Sequence, residues 1–235
     1  MKKLLLMFAI VFASICVVSC SSDDEDSGSA EQGITAKDLI GTWWISKSSS
    51  SSQIGLTQTY NGDGTWVCSS DIYGVYKNWE LSEGKLIMTR KDGRKETYSA
   101  LLKDGRLYLY FGDIKVKDGE VVNASESEVL ERVDVAKIKA VATKDYFVGT
   151  WTRTFVRGTY KEYRKIVFLS NGDCTYSVNT DSGFGNSSYI GTWEYNPETR
   201  EMKTTIYSNG WNWKIVYASK DEWAGDYGLI FQREK

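Results

Sequence analysis

The chain has 235 residues, with 29 Lys+Arg against 31 Asp+Glu for a formal charge of −2, and no histidine. That balance supplies no electrostatic reason to bind nucleic acid, and without imidazole the Ser–His and Cys–His nucleophile systems and the commonest zinc ligand are absent. Aromatic residues make up 14% of the chain and proline occurs once, at Pro197, in short segments that alternate apolar with polar residues, which suits antiparallel strands with one wet face. In chain order, Met1-Lys2-Lys3 precedes an apolar or small run from Leu4 to Ser19 and then Cys20, the pattern of a secretory signal too short to span as a mature helix. With Lys2 and Lys3 removed, the balance becomes 27 against 31. Ser21-Ser22-Asp23-Asp24-Glu25-Asp26 and the polar residues up to Gly33 lack the apolar content to fold, and read as a solvated tether.

Val17-Val18-Ser19-Cys20 resembles the lipobox of bacterial lipoproteins. The resemblance implies a signal peptide over 1–19, lipidation of Cys20, a tether over 20–33 and stable attachment to the bacterial outer membrane through several acyl chains. The acidic cluster after Cys20 also looks like the surface-export signal of Bacteroidota lipoproteins; a plain spacer is the alternative.

Beyond the tether the chain repeats itself. Lys37-Asp38-Leu39-Ile40-Gly41-Thr42-Trp43 returns as Lys144-Asp145-Tyr146-Phe147-Val148-Gly149-Thr150-Trp151, an offset of 108 between the glycines. Asn61-Gly62-Asp63-Gly64 answers Asn171-Gly172-Asp173-Cys174 at an offset of 110, and Trp79 answers Trp193 at 114. A period of about 110 residues suits a duplicated small domain rather than a solenoid. The domains are read as 34–133 and 143–235, joined by 134–142.

Thr35 and Thr143 read as N-caps of a short turn ahead of each first strand. Turn signals then recur at intervals of about 8–12 residues. Strands are expected in the first unit near 42–48, 54–60, 65–71, 75–81, 85–91, 95–102, 106–112 and 127–132. In the second they are expected near 150–158, 161–169, 174–180, 187–195, 201–208, 211–218 and 227–233. The fold class is all-β: two tandem small antiparallel meander barrels, since closure hides strand edges, with a sandwich as the alternative. Asp134–Val141 reads either as a linker helix or as an extra edge strand. Once Cys16 leaves with the signal and Cys20 is lipidated, Cys68 and Cys174 remain, either as buried thiols or as one interdomain bridge.

Gly-x-Trp at Gly41/Trp43 and Gly149/Trp151, each after a short turn, resembles the start of the lipocalin-like domains common in Bacteroidota lipoproteins. In that pattern an arginine near the end of the last strand packs across the tryptophan. Arg132 and Arg233 hold the matching places, which implies the pairs Trp43–Arg132 and Trp151–Arg233, each worth about 0.5–2 kcal/mol of cation–π attraction. The resemblance implies capture of a small hydrophobic or amphipathic molecule, with no cofactor, no metal and no catalysis. Each unit is shorter than a full lipocalin, and small barrels can be filled by their own side chains.

Asn61-Gly62-Asp63-Gly64 and Asp181-Ser182-Gly183 lack the ligand run of a calcium loop and read as hairpin turns. Trp43, Trp66, Trp79, Trp151 and Trp193 recur between the units and read as core. Trp44, Trp211, Trp213 and Trp223 have no counterpart. Trp211, Trp213 and Trp223, with Asn212, are the candidate ligand-binding residues; they either fill a barrel or form an exposed strip that stacks a glycan or seats a partner protein. A third reading, an enzyme inhibitor, needs a protruding loop at 180–188.

Overall fold

Alternation and turn signals resolve into two eight-stranded antiparallel sheets, one per repeat. The computed structural model describes residues 33–50, 53–70, 74–123, 127–157, 159–181, 186–206, 210–226 and 228–235, apart from the side chains at 157 and 229. Cys20, the signal segment, nearly all of the tether and the middle of the 180–188 loop lie outside the described residues.

The first repeat runs α1 (Ala36–Leu39), β1 (Gly41–Lys47), β2 (Thr57–Tyr60), β3 (Trp66–Cys68), β4 (Tyr76–Ser82), β5 (Lys85–Arg90), β6 (Lys95–Lys103) and β7 (Arg106–Tyr110). A small hairpin of β8 (Val116–Lys117) and β9 (Glu120–Val121) follows, and then β10 (Glu128–Arg132). The sheet order is β3-β2-β1-β10-β7-β6-β5-β4. This first barrel is nearly closed. Among the described residues β3 and β4 meet through the bridge Thr65–Asn78, the 2.8 Å bond from the Trp79 N–H to the Gly64 carbonyl and a 3.3 Å bond from Asn78 Nδ2 to the same carbonyl.

Asp134 caps α2 (Val135–Val141), its carboxylate accepting from the Lys137 N–H at 2.9 Å, so the linker is a helix. Then come α3 (Lys144–Phe147), β11 (Gly149–Arg157), β12 (Tyr160–Phe168), β13 (Asp173–Thr180), β14 (Ser187–Asn196), β15 (Glu201–Thr204), β16 (Trp211–Ala218), β17 (Glu222–Gly225) and β18 (Leu229–Arg233). These eight strands close completely. A single strand near 227–233 was expected where β17 and β18 pair. Trp223-Ala224-Gly225 is buried throughout, so it lacks the alternation that marks a strand, and its turn carries no Asn-Gly or Asp-Gly signal.

Strand pairing also corrects the repeat alignment. Gly41 pairs with Tyr60 and Tyr60 with Trp66; Gly149 pairs with Phe168 and Phe168 with Cys174. The offset therefore stays at 108 through the third strand, Gly64 matches Gly172, and Cys174 stands where Trp66 stands. The jump to 114 falls wholly in the following hairpin, which is longer in barrel 2. The repeated Asn-Gly-Asp triplet sits two residues out of step with the backbone.

Each barrel has its own core. Leu39, Trp43, Tyr60, Leu86, Leu107 and Leu130 anchor the first, and Phe147, Trp151, Phe168, Trp213, Trp223 and Phe231 the second. The barrels lie side by side within one compact unit, Gly33–Lys235. Trp44, on the outer face of β1 and 3% exposed, stacks on Tyr217 with centroids 5.0 Å apart and packs on Val216 and Ala224. The Ser69 hydroxyl donates to the Asp226 carbonyl at 2.6 Å across the same interface.

Candidate functional site

One end of each barrel is shut by the duplicated motif. The Trp43 indole donates to the Leu39 carbonyl at 2.8 Å, and that of Trp151 to the Phe147 carbonyl at 2.7 Å. Arg132 lies 4.3 Å over the Trp43 ring and Arg233 4.2 Å over that of Trp151, so both pairs are formed. Arg132 donates to the Ile40 and Asp38 carbonyls, and Arg233 to those of Val148 and Tyr146. Gly41 and Gly149 have φ of +130° and +126°, and a Cβ on Gly41 would stand 2.7 Å from Arg132 Nη1. Gly41, Trp43 and Arg132, and Gly149, Trp151 and Arg233, are therefore a structural lock on each barrel.

The opposite ends of the barrels differ. Barrel 2 is packed solid around the candidate tryptophans. Trp223 is fully buried, stacked on Phe231 at 4.9 Å, and Trp213 is 3% exposed. Gly225 makes room for it, since a Cβ there would lie 3.2 Å from the Trp213 Cβ. Trp211 is half-buried and packs edge-on against Tyr176 at 4.7 Å. Of the two readings of Trp211, Trp213 and Trp223, the structure has the barrel-filling one and not the exposed strip, because inward alternation along β16 and β17 turns these rings into the barrel. Asn212 faces outward and shares with Trp211 an open depression that also involves Glu194 and Lys203.

Barrel 1 instead holds a cavity of about 380 Å³ at the end opposite α1. Its walls include Ile45, Leu56, Trp66, Leu86, Met88 and Leu109, all buried. Such apolar walls with a few converging polar groups characterise small-molecule pockets. Two features leave this space: among the described residues β3 is only three residues long, and Cys68 stands on the wall where barrel 2 has Tyr176.

Two polar clusters reach this cavity. In the first, the Tyr60 hydroxyl donates to Gln58 Oε1 at 2.7 Å, and Gln58 Nε2 donates to Glu128 Oε2 at 3.2 Å. Burial pushes the Glu128 carboxyl above its ordinary value despite the Gln58 hydrogen bond. Burial likewise raises the Tyr60 phenol. The Trp66 indole N–H lies close enough to favour the Tyr60 anion yet makes no hydrogen bond among the described residues, although Trp66 is only 6% exposed. An unpaired buried donor on a cavity wall costs about 1–3 kcal/mol unless something else accepts from it.

In the second cluster, at the rim, the Tyr76 and Tyr98 hydroxyls lie 2.6 Å apart and both reach Glu96. Arg90 donates to the same carboxylate at 2.8 Å. The Tyr76 hydrogen bond, helped by Arg90, holds the Glu96 carboxyl below its usual range, while burial raises the Tyr76 phenol to about 12. Phe111, 68% exposed, leans on Tyr98 at the mouth with centroids 4.3 Å apart.

Gln58, Tyr76, Tyr98 and Glu128 are not singled out by the sequence, which marks Trp66 as core only. Gln58 and Glu128 fall on inward positions of β2 and β10, where an apolar residue is the rule, and that break in alternation was the available signal. Among the described residues, no group of three or more Cys, Asp or Glu could hold a metal ion, and no helix is long and apolar enough to cross a membrane. No protein-family model, curated protein or solved structure matches the chain.

Proposed function

We propose that this chain is a lipid-anchored binding protein of the bacterial outer membrane whose first barrel captures a small hydrophobic or amphipathic molecule. The observation that carries this reading is the barrel 1 cavity: apolar in its depth, polar at its mouth, and lined by a buried indole N–H that has no hydrogen-bond partner among the described residues. An apolar body would occupy the space between Ile45, Leu86 and Leu109, and a hydroxyl or carbonyl on it would meet Glu128 or Trp66. The anchor rests on Val17-Val18-Ser19-Cys20 and is tested separately, by following incorporation of labelled fatty acid into the chain and into Cys20→Ser.

Titration of the full chain with N-phenyl-1-naphthylamine, an uncharged apolar fluorophore, tests the cavity. Saturable uptake of one equivalent is expected, and it should disappear in Cys68→Tyr. Cys68 lines the cavity at the position that Tyr176 fills in barrel 2, so the substitution copies a side chain the fold already accommodates. No uptake by the parent, or equal uptake by a folded Cys68→Tyr, would overturn the reading.

A further inference from the structure

The charges around the barrel 1 cavity do not balance, and Glu128 is the reason. Glu96, at the rim, is matched by Arg90 at 2.8 Å, and Asp92 beside that pair is matched by Arg94 at 2.7 Å. Glu128 has no such counterpart. The described residues that line the cavity include no Lys or Arg, and among the described residues only Gln58, at 3.2 Å, hydrogen-bonds its carboxyl.

The fold does not require this charge. Glu128 stands four residues before Arg132, and in barrel 2 Leu229 stands four before Arg233. Gln58 pairs with Trp43 across the first two strands, where Ile166 pairs with Trp151. Barrel 2 therefore closes with apolar residues at both places where barrel 1 has its polar pair.

A carboxyl in such a place lowers its free energy either by keeping its proton or by gaining a cation. Burial alone favours the proton and raises the Glu128 carboxyl. The surrounding rings suit the cation. Tyr60 and Tyr98 lie near enough that, after burial, the Glu128 charge is among the causes that raise both phenols. Trp66 packs edge-on against Tyr76 with centroids 5.4 Å apart, and Phe111 leans on Tyr98. Aromatic walls attract an organic cation through the quadrupoles of their rings.

We infer that the molecule captured by barrel 1 is an apolar amine, held as its ammonium ion on Glu128 with its body against Leu86, Met88 and Leu109. The ammonium donates to the carboxylate oxygen that Gln58 does not engage, a charge-assisted hydrogen bond. The Trp66 indole N–H is a donor and cannot receive the ammonium, so it serves an oxygen on the body where the ligand carries one. This inference rests on the reading of barrel 1 as a binding cavity and adds the chemical class of its ligand.

The test is calorimetric titration of the full chain at pH 7.5 with 1-naphthylmethylamine, an ammonium at that pH, and separately with 1-naphthylmethanol, an uncharged probe of nearly the same shape. The parent is expected to bind the amine about tenfold or more tighter than the alcohol, the worth of a hydrogen bond to a charged group. That preference should vanish in Glu128→Gln and in Glu128→Leu, which copies barrel 2. It should persist in Glu131→Gln, which removes a carboxylate from the opposite face of the same strand. Equal affinities in the parent, a preference that survives either Glu128 variant, or its loss in Glu131→Gln would each overturn the inference. Equal affinities alongside saturable uptake of N-phenyl-1-naphthylamine would remove the amine and leave the cavity standing, whereas no binding of amine, alcohol or fluorophore would overturn both.

Discussion

Arg132 Nη1 occupies the space a side chain on Gly41 would need, 2.7 Å from where a Cβ would stand, and from there it both covers Trp43 and donates to the Ile40 carbonyl. The glycine and the arginine are thus one device. Arg132→Ala is expected to cost about 2 kcal/mol, from two charge-assisted hydrogen bonds and an exposed cation–π contact. Gly41→Ala should cost a similar amount through the clash and the positive φ. Combined, they should cost clearly less than the sum, because removing Arg132 relieves the clash. Urea midpoints of the four proteins measure this; strict additivity would show that Gly41 is required for its backbone angle alone.

Trp44 has no counterpart in the repeat, since Thr152 holds the equivalent place in barrel 2, and it is the centre of the contact between the barrels. Trp44→Thr is expected to remove about 3 kcal/mol of packing, comparable with deleting a buried tryptophan. The loss falls on the interface and leaves both barrel interiors intact. Scanning calorimetry should therefore show the parent's unfolding separating into two transitions. A single transition shifted to lower temperature would mean the barrels remain coupled through Ser69, Asp226 and α2.

Barrel 2 is filled where barrel 1 is hollow, and Trp213 seated against Gly225 is central to that filling. Trp213→Ala is expected to destabilise by about 3–5 kcal/mol and to open a second apolar cavity. Uptake of N-phenyl-1-naphthylamine should then rise from one equivalent to two. A stoichiometry that stays at one in the folded variant would show that the barrel collapses onto the space.

The duplication, the strand count of the first repeat and the Trp–Arg pairs were legible because each rests on local signals: Gly-x-Trp, alternation, and turn residues. The cavity was not. Whether a barrel is hollow depends on which side chains meet across it, and Cys68 against Tyr176 is a difference that only the closed sheet brings to bear. The same limit hid the roles of the aromatics. Trp211, Trp213 and Trp223 are conspicuous by their residue type, yet position on the inner face turns them into filling, while the inconspicuous Gln58 and Glu128 line the cavity. Trp44, equally conspicuous, faces the other barrel for the same reason of parity along the strand.

Glu128 ties the cavity to pH. Its carboxyl is raised by burial, so between the ordinary carboxylate pKa of about 4.3 and its own folded value the native state binds more protons than the unfolded chain. Stability contributed by this group is therefore complete below the ordinary value and is lost as pH rises through that window. Above it, Glu128 is a buried carboxylate whose only hydrogen bond among the described residues comes from Gln58 at 3.2 Å. Glu128→Gln removes this dependence while its amide oxygen can still accept from Gln58. The variant should be more stable than the parent at pH 7.5, and the two should converge at pH 4 and below in urea unfolding. A difference that is constant from pH 4 to 7.5, or a parent that is the more stable at neutral pH, would show that the folded carboxyl is stabilised as an anion and that the cavity mouth is wet.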